Sequence, residues 1–101
     1  MRLIAKLVDQ MCEEVEGAKD YAIEALELKV QDPDLSKYYH SLSQTEYEHV
    51  EKLHEFAAKK VEEARNSGYQ YPDSISNRWE EKHRDFILKM KDARVFIDMY
   101  R

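Results

Sequence analysis

The sequence has 101 residues, enough for one small domain and not for two. Only two glycines and two prolines interrupt a chain rich in Glu, Lys, Ala and Leu, which points to an all-α fold; a 43% hydrophobic share with mean hydropathy −0.81 implies a narrow core between charged faces. A net charge of −5 argues against a nucleic-acid binder, the lone Cys12 cannot form an internal disulfide, and no apolar run approaches the roughly 20 residues of a membrane span, so the expectation is a cytoplasmic protein with neither nucleic acid nor membrane as partner.

Three helices are predicted. The first covers about residues 3–30. Its opening, Met1 to Met11, carries Lys6 and Asp9 inside an amphipathic pattern and lacks the apolar stretch of a secretory signal. Asp32-Pro33-Asp34 ends it and starts the second, with Asp32 as cap and Pro33 at the first helical position, where its missing N–H is harmless. The second helix covers about 33–66, with Gly68 as its stop. Residues 69–73 read as a loop. The third helix covers about 74–100, capped by Ser74 or Ser76. So short a break near residue 32 folds the first two helices into an antiparallel hairpin.

Spacings of three and four residues define an apolar seam on each helix. On the first it reads Ile4, Leu7, Met11, Glu14, Ala18, Tyr21, Ala25, Leu28. On the second it reads Leu35, Tyr39, Leu42, Glu46, His49, Leu53, Phe56, and on the third Trp79, His83, Phe86, Met90, Ala93, Ile97. Glu14, Glu46 and His49 interrupt the first two. At about 1.5 Å per residue Glu14 lies about 24 Å from the turn and the other two about 18–22 Å, so all three meet at one level. A buried carboxylate needs a cation or a donor. Three ligand-type groups converging in a bundle suggest a metal, and their oxygen and nitrogen donors suit Fe, Mn or Zn. The competing reading is a buried network in which the imidazole hydrogen-bonds a carboxylate and fixes register.

The Glu-x-x-His spacing alone carries little. With 13 glutamates it occurs three times, at Glu46/His49, Glu51/His54 and Glu80/His83, and only the first falls wholly on a seam.

Together these features resemble a known family. Di-iron carboxylate bundles take one Glu from each of two helices and a Glu-x-x-His from each of the other two. Glu14, Gly17 and Tyr21, followed by Glu46-Tyr47-Glu48-His49, are similar to the first half of rubrerythrin and other ferritin-like proteins. The stretch from Asp32 to His54 resembles small ferritin-like proteins of Firmicutes and their phages. The resemblance covers roughly residues 3–66 and implies a di-iron site with Glu14, Glu46 and His49 as ligands, Glu46 as bridge and His49 as terminal ligand. Activity of the ferroxidase type, or iron oxidation by peroxide or O2, is implied with it. The chain departs from the family in having a single half-site and one further helix. Two hairpins related by a two-fold axis repair this, making a four-helix bundle from a homodimer or a higher homo-oligomer. Encapsulated ferritins are similar in being short hairpins, but Phe96 to Arg101 does not resemble their targeting tail.

Tyr21, His54 and His83 are candidate auxiliary residues. Tyr21 shares Glu14's stripe and could bond a ligand carboxylate, or simply pack. His83 falls nearer the level of His54 than of His49 if the third helix folds back along the second, and reads first as a core histidine. Glu13 and Glu16 flank Glu14 on the solvent side. The alternative function is a non-catalytic structural or adaptor bundle, in the manner of a phage-associated protein. It would keep the fold and dock partners through Trp79, Phe86, Ile87, Met90, Phe96 and Ile97.

Overall fold

The computed structural model describes the backbone of residues 2–67 and 73–101, and the side chains of 3–67 and 79–101. Three helices, α1 (Arg2–Leu28), α2 (Pro33–Asn66) and α3 (Asp73–Met99), account for nearly all of it, with no strand among the described residues. The Asp32 side chain accepts the Leu35 N–H at 3.2 Å and Pro33 follows it, so the first break forms as its sequence dictates. Helix α2 closes on Ser67, whose N–H donates to the Glu63 carbonyl. The expected stop at Gly68 and residues 69–72 of the expected loop lie outside the described set, but Asp73, expected in the loop, opens α3, and Ser74 and Ser76, expected as caps, have helical backbone inside it.

The molecule is a rod of 56 × 18 × 18 Å with a radius of gyration of 16.3 Å, against about 13 Å for a compact chain of this length. Helix α1 lies antiparallel to α2. Helix α3 returns antiparallel to α2 but packs chiefly on α1, parallel to it and in register. Three ion pairs, Asp9–Lys82, Glu16–Lys89 and Lys19–Asp92, each join residues 73 apart, as two helices meeting along a seven-residue repeat require.

The core corrects two predicted seams. On α1 the buried stripe is Ile4, Val8, Met11, Val15, Ala18, Ala22 and Ala25, while Leu7, Glu14, Tyr21 and Leu28 are half-buried along its margin. On α2 the buried positions are Ser36, Ser43, Val50, Ala57 and Val61. None of the predicted α2 seam is fully buried, and Leu35, His49 and Phe56 are exposed. The reason is steric. Small residues let the α1 and α2 backbones approach closely, and larger side chains are displaced to the flanks. Ser36 sits in this contact and donates its hydroxyl to the Ala25 carbonyl.

Helix α3 uses its predicted seam. Phe86, Ala93 and Ile97 are buried, and Trp79 and Met90 pack against the cluster formed by Met11, Val15, Val50 and Ala57. The residues expected to dock a partner are therefore largely turned inward. Leu88, Val95 and Met99 are exposed instead, at 65%, 56% and 54%.

Candidate metal centre

Helix α1 presents Asp9, Glu16 and Lys19 to α3. At about 100° per residue, Glu14 projects from the opposite flank, two residues before Glu16. On α2, Glu46 and His49 stand one turn apart on the flank facing the same way, while Tyr47 and His54 line the side toward α3. The hairpin thus has one flank covered by α3 and one open, and the three interrupting residues lie on the open one.

There they converge. One ligand atom from each of Glu14, Glu46 and His49 lies within 4.8 Å of the others. Glu14 and Glu46 are half-buried and His49 is exposed. The Glu46 carboxylate lies over the α1 backbone at Gly17, where a Cβ would stand 3.7 Å from Glu46 Oε2, an ordinary contact.

Among the described residues no hydrogen bond joins Glu14, Glu46 and His49 to one another. Glu14 Oε2 is buried and has no hydrogen-bond partner. Among the described residues no lysine or arginine is ion-paired with any of the three. A buried carboxylate oxygen without a donor is destabilising by about 1–3 kcal/mol. A cation held by two carboxylates and an imidazole removes that cost, and this donor set fits iron, manganese or zinc.

No protein-family model, curated protein or solved structure matches this chain.

The site is thus read from its own side chains, and the auxiliary candidates fall elsewhere. Tyr21 packs its ring on Tyr39, with centroids 5.8 Å apart, and makes no hydrogen bond to Glu14 or Glu46 among the described residues. His54 and His83 are not brought to the trio. They meet each other between α2 and α3, their Nε2 atoms 2.9 Å apart. Burial, then the neighbouring His83, holds the His54 imidazole below its ordinary value, with Glu55 opposing. Burial, then Glu51, raises the Tyr47 phenol.

Two features were not anticipated from sequence. His40 stacks on Tyr100 at 4.1 Å with its Nδ1 buried and unpartnered, and burial lowers its pKa. A cavity of about 330 Å³ opens between α2 and α3, lined by Tyr47, His54, Phe86 and Met90 among others. Glu51 and His54 of one Glu-x-x-His spacing line the cavity, and no sequence motif pointed to His40 with Tyr100.

Proposed function

We propose that this chain is one half of a ferritin-like, rubrerythrin-like di-iron bundle, and that two copies pair over the open flank to share one centre. The observation that carries the reading is the convergence of Glu14, Glu46 and His49, with a buried Glu14 oxygen that has no hydrogen-bond partner among the described residues. The two carboxylates supply the negative charge that draws a divalent cation in, and His49 supplies a neutral nitrogen donor. Iron bound there would furnish electrons to O2 or peroxide, which is ferroxidase-type chemistry.

One chain offers three ligands and leaves His49 exposed. A two-fold copy laid across this flank brings a second set to face the first, six ligands for two metals, and withdraws His49 from bulk water. Exposed apolar residues farther along the same flank of α2, Leu35 at 39% and Phe56 at 49%, would be covered by the same act. Drier surroundings strengthen the ligands' hold on a cation.

The test is anaerobic Fe(II) titration with light scattering, followed by air and near-ultraviolet absorbance. Saturation near one iron per chain in a dimer, then a ferric charge-transfer band, is the expected outcome. Folded Glu46→Ala should lose both. Absence of saturable binding in the wild type, or iron oxidation unchanged in Glu46→Ala, would overturn the proposal.

A further inference from the structure

We propose that the His54–His83 pair is a proton-operated clasp that fastens α3 to α2 at neutral pH and lets go in acid. The two Nε2 atoms are 2.9 Å apart, while the ring centroids are separated by 5.1 Å with planes inclined by 9°. The difference between those distances is about the combined radii of two imidazole rings. The rings therefore meet nitrogen to nitrogen, nearly in one plane, and not face to face. One Nε2–H donates to the lone pair of the other Nε2. A metal bonded to both nitrogens along this line would hold them about 4 Å apart, so the gap fits a proton and not an ion.

Around the clasp the α2–α3 contact is otherwise apolar or ring-to-ring: Phe86 stacks on His54 with centroids 5.3 Å apart, and Trp79, Phe86 and Met90 pack in the cluster that holds Val50 and Ala57. Helix α3 leans on α1, and the 330 Å³ cavity opens beside His54. Toward the other end, Ser36 and Tyr100 join α2 to the segment following α3 with a hydroxyl contact of 3.2 Å. No carboxylate bonds either imidazole among the described residues. On α2, Glu55 is paired with Lys52, and Glu51 lies on the cavity rim. On α3, Lys82 is paired with Asp9 of α1, and Glu80 is exposed. The α1 residues that pack in these clusters, Ile4, Leu7, Val8, Met11 and Val15, are apolar, and Cys12 is the one titratable side chain among them.

The protons can be followed atom by atom. In the neutral pair one ring carries its hydrogen on Nε2 and the other on Nδ1. A first added proton goes to the free Nδ1 of the donor ring; the N–H···N bond survives and becomes charge-assisted. A second can go only to the acceptor's Nε2. Two N–H groups then face each other and two like charges stand at contact distance, so the rings part. The two steps belong to the pair, not to either residue, and are separated by about one pH unit or more. Only the second breaks the link between α3 and α2 at this point, while the ion pairs to α1 remain.

Trp79 provides the readout. It is the only tryptophan, and it stacks on His83 with centroids 5.5 Å apart. The experiment is a titration of the full chain from neutral to mildly acid pH. It follows Trp79 emission, the imidazole C–H resonances and amide exchange in α3. Wild type should show two imidazole steps for the pair, with a red shift of Trp79 and faster α3 exchange confined to the lower one. Glutamine can donate to a neutral imidazole and accept from a protonated one. His54→Gln and His83→Gln should therefore each lose that acid-dependent red shift and exchange, leaving a single histidine step in place of the pair's two. A red shift and exchange profile identical in wild type and both variants would overturn the clasp. So would α3 amides that stay protected with both histidines protonated. The metal trio lies on the other flank, so this outcome is independent of the iron titration.

Discussion

At the scale of single residues, Glu14 is where stability and function pull apart. Its Oε2 is buried without a donor, and the chain bears that penalty in the metal-free state. Glu14→Leu should therefore stabilise the metal-free protein by about 1 kcal/mol in urea denaturation and show none of the Fe(II)-dependent rise in stability that the proposed centre predicts for the wild type. A variant that is destabilised without metal would show that the carboxylate has a partner the geometry does not reveal. His40 makes a second case. Its Nδ1 is buried, and burial holds its pKa below the ordinary value. As pH falls, the unfolded chain takes up this proton before the folded one does. The folded state therefore keeps its full margin above about pH 6.5 and loses part of it as pH drops toward the folded value. Replacement by glutamine should flatten that part of the stability-against-pH curve, measured by thermal melts. An unchanged slope would remove His40 from the account.

At the scale of elements, the helices themselves were written plainly in the sequence. Asp32-Pro33 marks a boundary because a cap and a missing N–H act locally, and the structure places both as the local rules require. The buried faces were less legible. On α1 the column Ile4, Met11, Ala18, Ala25 is flanked on one side by Leu7, Glu14, Tyr21 and on the other by Val8, Val15, Ala22. Periodicity allows either flank to complete the stripe, and the choice depends on where α3 lies. On α2 the buried positions include Ser36 and Ser43, which no apolar pattern selects. The large residues that made the pattern are those pushed aside. Convergence of Glu14 with Glu46 and His49 was nevertheless foreseeable, because helix rise fixes height whichever flank is covered. The sequence put His83 at the level of His54 provided that α3 folds back along α2, but no local signal sets that path or the contact between the two rings. Gly17 yields a prediction at this same scale. It sits in the interior of α1, and a Cβ there meets Glu46 Oε2 only at 3.7 Å, an ordinary contact. Gly17→Ala should raise stability by about 0.5–1 kcal/mol through helix propensity alone. A loss in denaturant titration would mean that the Glu46 carboxylate has no room to yield.

At the scale of the whole molecule, the question is why a rod of this size leaves one flank of its central hairpin open. Helix α3 covers the other flank and is held there by three ion pairs in one register. The open flank carries half-buried Leu7, Tyr39, Leu42 and Leu53 beside exposed Leu35 and Phe56, with the ligand trio among them. A surface that is apolar at its edges and ligand-bearing at its middle suits a second copy of itself, because a two-fold axis near the trio doubles the ligands while burying the borders. Leu42→Glu tests this directly. Leu42 is half-buried on the margin, one turn before Glu46, so the substitution adds a charge to the proposed contact without entering the core stripe of Ser43 and Val50. Across the two-fold axis that charge would meet its own image. The variant should keep its helical circular dichroism, sediment as a monomer where the wild type is a dimer, and bind Fe(II) at least tenfold more weakly, a difference of about 1.4 kcal/mol. If it is monomeric and still takes up one iron per chain at wild-type affinity, the three ligands suffice alone, and the centre is mononuclear within one hairpin. If the wild type is itself monomeric with iron bound, the open flank has another purpose, and the sharing of the site between chains is wrong.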